Sequence, residues 1–318
     1  MVFAIDGSCV FSHCLQAHIP MYLSTLIRLF LLSSLLSVSA AAARPFLCCD
    51  YGGGKVCIVS AEGLIEWEYA AKNPQDCWKL PNGNILFAYV GGAKEVTMAK
   101  EVVWEYQSPE KTEAHACQPL PDGRVLVVEC GASRIVEVDR AGKIAKEIKL
   151  VTAPEIKLHN QFRGTRKLAN GHYLVCFKGE NKVVELDAGG KVLREIKVPG
   201  DCHGVIPLPS GGLLVTCGDG HKVVELDAQE KTVWELNEND LPGNPLRLMA
   251  GAQRLPNGNT VLCVYLGHGH LGEQPQIIEV TRDKKVVWQF EDHKQFKTIN
   301  QVQVLDVPGD VTKGEILR

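Results

Sequence analysis

Short apolar runs separated by glycine-containing turns fill the chain from about residue 44 onward. Valine and isoleucine alternate with polar residues inside these runs, and glycine, aspartate and asparagine bound them. This pattern is typical of antiparallel strands joined by hairpin turns. Because no long helical period appears in this part of the chain, the pattern predicts an all-β fold.

One turn recurs along the chain and divides it into similar units. Leu-Pro-x-Gly, or a close variant of it, begins at Leu80, Leu120, Leu168, Leu208, Leu255 and, in degenerate form, Leu305. Each turn is followed by three β-rich runs, of which RVLVVEC, RIVEVD and KIAKEI are one example. With the short run that precedes the turn, each unit has four strands. Four short strands in every forty to fifty residues are the signature of a β-propeller blade.

The two ends of the repeat region complement each other. Residues 46–69 match the second to fourth strands of a blade, and residues 300–307 match a first strand. Joining them closes the ring and removes its free sheet edges. We therefore predict a six-bladed β-propeller of four-stranded antiparallel blades, forming a single domain over residues 44–318. The final Glu-Ile-Leu-Arg competes with Phe-Leu-Cys-Cys-Asp-Tyr for the second-strand position.

The first 43 residues have a different pattern. Met21, Arg28, an apolar run to Val38 and a small-residue exit at 39–43 together indicate a secretory signal peptide. We expect residues 21–43 to be this signal and residues 1–20 to be a misassigned extension. The alternative is an N-terminal membrane anchor, although the apolar run is short for a span. The predicted location is periplasmic or extracellular, with no stable membrane span once the signal is removed.

Charge and cysteine content narrow the function classes. The formal net charge is −3, so nucleic acid is not an expected partner. Ten of the twelve cysteines follow the predicted signal, and several lie inside apolar strand runs, where free cysteine packs well. No Cys-x-x-Cys pair occurs, so neither a zinc ribbon nor a thioredoxin-like centre is indicated. We expect a monomer.

Histidines are concentrated on one face of the predicted propeller. Leu-Pro-x-Gly turns define one face, and seven of the eight histidines after residue 43 map to the other. The position five residues before each turn's leucine gives a ring around the axis: Gln75, His115, Arg163, His203, Ala250 and Asn300. Neighbouring candidates for ligand binding are Asp76, His159, Asn160, Arg247, His268 and His270. Such a set suits a polar or anionic ligand. A metal bound by His203, His268 and His270 is an alternative.

The repeat resembles a known group of proteins. His115 with LPDG, His203 with LPSG, KVVELD at 182 and 222, and the strands containing Trp104, Trp234 and Trp288 look like those of arylsulfotransferase-type propellers and the quinoprotein-like superfamily. That resemblance implies a histidine at the channel mouth that accepts a transferred group, with Arg163 beside it. Gln75 and Asp76 depart from the pattern where a histidine would be expected. Six blades and few acids at the mouth argue against a quinone cofactor, and we expect the tryptophans to pack between blades. No other cofactor is identified.

Two function classes stay open. The first is an exported binding module that captures a small polar or anionic molecule, a glycan or a protein at the histidine-rich face. The alternative is an arylsulfotransferase-like or other group-transfer or hydrolytic enzyme, with His115 or His203 as nucleophile or general base and Arg163 holding an anionic group. Convergence of His115, Arg163 and His203 on one cavity favours chemistry or small-ligand capture, whereas dispersal over a flat rim favours a partner surface.

Overall fold

The computed structural model describes residues 43–318 and shows six four-stranded antiparallel sheets arranged as a propeller. The all-β, six-bladed prediction is confirmed. The predicted extension 1–20 and residues 21–42 of the predicted signal peptide lie outside the described residues. Among residues 43–318, no helix has the length and apolar character needed to cross a membrane.

Twenty-four strands and three short 3-10 helices make up the regular structure of residues 43–318. The strands are β1 (Phe46–Asp50), β2 (Lys55–Val59), β3 (Ile65–Ala70), β4 (Asp76–Lys79), β5 (Ile85–Tyr89), β6 (Gly92–Val96), β7 (Val102–Gln107), β8 (Glu113–Pro119), β9 (Val125–Cys130), β10 (Arg134–Val138), β11 (Ile144–Lys149), β12 (Phe162–Lys167), β13 (Tyr173–Phe177), β14 (Lys182–Leu186), β15 (Val192–Lys197), β16 (Gly204–Pro207), β17 (Leu213–Cys217), β18 (Lys222–Leu226), β19 (Thr232–Asn237), β20 (Leu248–Arg254), β21 (Thr260–Tyr265), β22 (Ile277–Val280), β23 (Val286–Phe290) and β24 (Ile299–Val304). The 3-10 helices are Leu158–Asn160, Lys178–Glu180 and Val311–Lys313.

Five blades are continuous in sequence and the sixth closes the ring. Blades 1 to 5 are β4–β7, β8–β11, β12–β15, β16–β19 and β20–β23, each with its first strand innermost. In blade 6 the inner strand β24 pairs with β1, with Cys48 opposite Val302, followed outward by β2 and β3. Phe46–Asp50 therefore takes the second-strand position. Residues 316–318 lie elsewhere, with Leu317 forming an isolated bridge to Arg254.

The turns share one backbone geometry, which explains why their sequence repeats along the chain. In the first Leu-Pro-x-Gly turn, Gly83 has φ of 85° and donates its N–H to the carbonyl of Leu80 at 2.9 Å. Only glycine adopts this left-handed conformation without steric cost. Between the third and fourth strands, an aspartate closes the turn instead. The Asp139 carboxylate accepts the N–H groups of Ala141 and Lys143, both at 2.9 Å.

Apolar side chains pack in layers between adjacent blades. The indole N–H of Trp104 donates to Asp139 O at 2.8 Å in the next blade, and that of Trp234 donates to Arg282 O at 2.8 Å. Trp288 packs edge-on against Phe46. These three tryptophans thus hold neighbouring blades together, as predicted. The ten cysteines of the described residues are buried and unpaired, in agreement with their place in apolar strands.

Candidate functional site

The inner strands bring the predicted ring together around the channel. Gln75, His115, Arg163, His203, Ala250 and Asn300 all line one narrow space. Above it, toward the histidine-rich face, a cavity of about 260 Å³ is lined by Tyr51, Gln75, His159, Asn160, Arg163, Lys178, His203, Asp219, Leu248, Tyr265, His268 and Asn300. We call this space the mouth cavity. His115, Arg163 and His203 all line the narrow space, whereas only Arg163 and His203 of these three line the mouth cavity.

β-Bulges place several of these side chains. The register of β8 against β9 shifts between Ala114 and Ala116, so that His115 is the extra residue. Corresponding shifts occur at Arg163–Gly164 in β12 and at Asn300 in β24. A bulge twists the strand locally and redirects the side chain that it carries. The site therefore depends on an irregularity that recurs in the inner strands.

Glycines next to the ring allow the inner strands to approach each other closely. Gly164 donates its N–H to His203 O at 2.9 Å, and a Cβ at residue 164 would lie 2.9 Å from the Cα of Gly204. A side chain there would push blades 3 and 4 apart. This contact narrows the channel directly beneath the mouth cavity and fixes Arg163 and His203 next to each other.

Arg163 is a buried cation without a carboxylate partner among the described residues. Its side chain donates through Nη1 to Phe162 O at 2.8 Å and to His115 Nδ1. The residue is 4% exposed, and burial lowers the pKa of its guanidinium. A desolvated cation of this kind is costly unless an anion offsets it.

His115 belongs to a hydrogen-bonded chain that ends in solvent. Because Nδ1 accepts from Arg163, the ring proton lies on Nε2, which donates to Glu113 Oε2 at 2.8 Å. His159 Nδ1 donates to the same oxygen at 2.7 Å. Burial and the Arg163 charge lower the pKa of His115 to about 4. Hydrogen bonds from His115 and His159 lower the pKa of Glu113 to about 2.

The His203 imidazole is free to interact with a ligand. No hydrogen bond to its ring nitrogens is formed by residues 43–318, although its backbone N–H donates to Thr216 O at 2.9 Å. Burial, and then the charges of Arg163 and Lys178, lower the pKa of His203 well below its usual value. Lys178 is neutralised by Asp201 at 2.8 Å. His203 is thus a neutral base beside the unpaired Arg163.

Asn300 adds an unsatisfied acceptor to the same cavity. Its Nδ2 donates to Pro74 O at 3.2 Å, which orients the amide. The Oδ1 atom is buried without a hydrogen-bond partner in the described part of the chain. Buried polar atoms are rarely left unpaired in folded proteins, so this oxygen is available to accept a hydrogen bond from an ordered water or a ligand.

The opposite end of the channel opens into a second cavity of about 790 Å³, and buried ion pairs lie between it and the mouth cavity. Asp76 pairs with Arg166 at 3.1 Å and with Arg318 at 3.3 Å. Arg318 also lies over the Trp78 ring at 4.2 Å and donates through Nε to Val302 O at 3.1 Å. Asp76, predicted as a ligand-binding residue, is therefore engaged by two arginines below the mouth cavity.

The remaining candidates divide between the cavity and its surroundings. His159, Asn160 and His268 line the mouth cavity, but Arg247 and His270 do not. His268 pairs with Asp219 at 2.9 Å and His270 with Glu273 at 2.7 Å. Within residues 43–318, the metal-ligand types that converge are Glu113, His115 and His159, rather than His203, His268 and His270.

Several cavity residues were not among the sequence candidates. Tyr51, Lys178, Asp219 and Tyr265 lie at, or just after, the ends of the second strands of their blades. That location was a usable signal, because the end of the second strand is a position that repeats from blade to blade. Burial raises the pKa of both tyrosines, which therefore keep their hydroxyl protons near neutral pH.

Fold and channel together define a six-bladed propeller with a polar cavity at one end of its axis. A family model described as Mal s 1 allergenic protein-like matches residues 56–257. The chain belongs to this family. It is also 32% identical to a protein of unknown function from Bacteroides caccae, over 82% of this chain and 98% of that one, with a TM-score of 0.75.

More distant solved structures share the fold alone. A streptogramin B lyase is 12% identical, over 85% of this chain and 96% of that one, with a TM-score of 0.58. A chain of a nidogen/laminin complex is 11% identical, over 81% and 97% of the two chains, with a TM-score of 0.59. Comparison with curated proteins gives no match. The finer resemblance to arylsulfotransferase-type propellers remains a prediction.

Proposed function

We propose that the protein is a binding module whose mouth cavity captures a small anionic molecule. The observation that carries this proposal is Arg163, a buried guanidinium that lines the cavity and has no carboxylate partner within residues 43–318. An anion there would offset the charge and accept hydrogen bonds from the guanidinium. His203 and Asn300 add neutral hydrogen-bonding groups on either side.

The size of the cavity limits the ligand. At about 260 Å³ it falls just below the range of cavities that hold drug-sized molecules. The lining combines Tyr51 and Tyr265 with polar groups, which suits a compact molecule with an anionic group and an apolar or sugar-like part. A small molecule is therefore favoured over a glycan chain or a protein partner.

Thermal unfolding in the presence of oxyanions tests the proposal. Sulfate and phosphate, each compared with chloride at equal ionic strength, should raise the Tm of the wild type. At a concentration 100 times the Kd, the gain is about 2.7 kcal/mol, or a Tm rise of about 5–10 °C. Arg163→Gln should abolish this gain, whereas Arg194→Gln, on an outer strand, should keep it. Equal Tm values in chloride, sulfate and phosphate would contradict anion capture.

A catalytic role is the second candidate, and His203 is the observation that favours it. A neutral imidazole with both nitrogens free, next to an arginine, can act as a nucleophile or general base on an anionic substrate. The resemblance to arylsulfotransferase-type propellers suggests 4-nitrophenyl sulfate with a phenol acceptor as the assay. Turnover that disappears in His203→Asn while sulfate binding persists would support the enzyme. If the wild-type protein binds sulfate but does not turn over the substrate, the catalytic role is rejected and the binding-module proposal stands.

We propose export from the cytoplasm as a separate point, supported by the signal-like pattern of residues 21–43. Intact mass measurement of protein recovered from the producing cells tests it. A mass that corresponds to cleavage near residue 43 is expected, and an uncleaved chain would contradict the proposal.

A further inference from the structure

Three metal-ligand side chains meet at the edge of the mouth cavity. Glu113 and His115 lie on β8, and His159 lies in the 3-10 helix Leu158–Asn160, which belongs to the connection between blades 2 and 3. His115 Nε2 and His159 Nδ1 both point to Glu113 Oε2, at 2.8 and 2.7 Å. One ligand atom from each residue lies within 4.8 Å of the other two.

We propose that Glu113, His115 and His159 bind one divalent transition-metal ion at the channel mouth. Two imidazoles and one carboxylate are a ligand set used for zinc sites that keep an open position for water or substrate. Calcium and magnesium prefer sites made of oxygen atoms only, so they are disfavoured here. Zn²⁺ is the reference ion, since it accepts nitrogen and oxygen ligands in a tetrahedral arrangement.

The geometry allows this coordination after a small adjustment. Tetrahedral zinc–nitrogen bonds of about 2.0–2.1 Å place neighbouring ligand atoms about 3.3 Å apart. The two hydrogen bonds to Glu113 must therefore lengthen by about half an ångström, and the His115 and His159 nitrogens, which lie within 4.8 Å of each other, must come to about the same separation. Glu113 and His159 are partly exposed, with side chains 27% and 52% accessible, and can move by this amount. The buried His115 stays fixed as the anchor.

Phe162 supplies the outer partner that a metal-bound histidine needs. Its carbonyl oxygen lies 3.0 Å from His115 Nδ1. When the ion occupies Nε2, the single ring proton lies on Nδ1 and is donated to this oxygen, an arrangement common around metal-bound histidines. Arg163 must then release Nδ1. Its guanidinium becomes available in the cavity to an anion that also binds the open position on the ion.

The metal site does not depend on the proposed anion capture, because its ligands are complete without Arg163 as a donor. Zinc binding is measured on the full chain, without an affinity tag, after exposure to excess ZnCl₂ and gel filtration. The readouts are bound zinc per chain by elemental analysis and, with CoCl₂ in its place, the visible spectrum of bound cobalt. Cobalt bands report coordination geometry and need no activity.

His159→Asn and Glu113→Gln should each bind one zinc ion fewer than wild type and lose the cobalt bands of this site. His221→Asn is the matched control, since His221 is a partly exposed histidine that pairs with the carboxylate of Glu238 outside the mouth cavity. It should retain both signals. Equal zinc stoichiometry in wild type, His159→Asn and Glu113→Gln would overturn the proposal. The rise in Tm caused by sulfate in the presence of EDTA tests the anion site without the metal. Failure of the metal-site proposal can therefore be distinguished from failure of the anion-binding proposal.

Discussion

The two ends of the propeller channel differ in how their buried charges are satisfied. At the end away from the mouth cavity, Asp76 pairs with Arg166 and Arg318, so opposite charges meet. At the mouth cavity, Arg163 has no carboxylate partner among the described residues, and the Asn300 Oδ1 atom has no hydrogen-bond partner there. Arg163 and Arg166 lie on the same inner strand, β12. Two arginines three residues apart therefore differ in whether a carboxylate offsets their charge.

This contrast has an energetic reason. Losing one partner of a buried ion pair strongly destabilises a protein, because the remaining charge stays desolvated without an opposite charge beside it. An unpaired buried charge already carries that cost in the free protein. Binding sites commonly retain such costs, since their removal would also remove the interaction with the ligand. The comparison therefore makes opposite predictions for mutations at the two ends.

The largest effect is expected at the end where Asp76 pairs with two arginines. Asp76→Ala leaves Arg166 and Arg318 without their shared carboxylate and should lower the free energy of unfolding by about 3–5 kcal/mol. Chemical denaturation of the purified variant measures this. Adding Arg318→Met to Asp76→Ala should recover part of the loss. A loss below about 1 kcal/mol would show that the pairing at this end is not structural.

Acid should destabilise the mouth end through His115. Its pKa is lowered to about 4 in the folded protein, so between pH 6.5 and 4 the unfolded chain binds a proton that the folded chain does not. The stabilisation is complete above pH 6.5 and is lost as the pH falls. The expected loss from this histidine is roughly 3 kcal/mol between pH 7 and pH 4.

His115→Asn isolates this contribution, because it removes the titrating group and keeps a polar side chain. Denaturation curves at several pH values should show a shallower pH dependence for the variant than for wild type. Glu113 acts in the same direction below about pH 4.5, since its folded pKa is lowered to about 2. Parallel pH dependences in wild type and His115→Asn would show that His115 is not buried as a neutral imidazole.

Arg163 should behave in the opposite way to Asp76. Arg163→Met removes a buried cation that has no carboxylate partner in residues 43–318, so the free energy of unfolding should stay the same or rise by about 1 kcal/mol. Stabilisation by sulfate should disappear in the same variant. Differential scanning calorimetry with and without sulfate measures both. A loss as large as that of Asp76→Ala would mean that Arg163 is a structural residue.

The smallest effect is expected at the exposed rim. His268 and Asp219 form a pair whose side chains are about half accessible. Exposed ion pairs contribute about 0.2–1 kcal/mol, so His268→Asn should change stability by less than about 1 kcal/mol. Thermal unfolding at low and high salt checks this, with a smaller difference at high salt. A larger loss of stability would show that the His268–Asp219 pair at the cavity rim also stabilises the fold.

Much of the architecture was predictable because it repeats along the chain. The Leu-Pro-x-Gly turns, the aspartate-closed turns and the alternating strands are local features, and each is determined by residues close together in sequence. The ring Gln75, His115, Arg163, His203, Ala250 and Asn300 was also predictable, because a constant offset from a repeated turn becomes a constant position around the axis.

The hydrogen-bond and ion-pair partners of the residues at and beside the ring were not predictable in the same way. Asp76 was predicted as a ligand-binding residue, and its pairing with Arg166 and Arg318, 90 and 242 residues away in sequence, was not predicted. Glu113 became part of the candidate metal site because the connection between blades 2 and 3 brings His159 against it. Such contacts join segments that share no repeat position, so no sequence period reports them.

The sequence by itself determined the number of blades and the closure of the ring. These follow from hydrophobic alternation and turn chemistry, which act over a few residues and are copied from blade to blade. Only the tertiary structure decided which charges are paired, which inner-strand residues form bulges and which histidines share a carboxylate. These properties depend on distances between blades, where burial makes each charge costly and each missing partner significant.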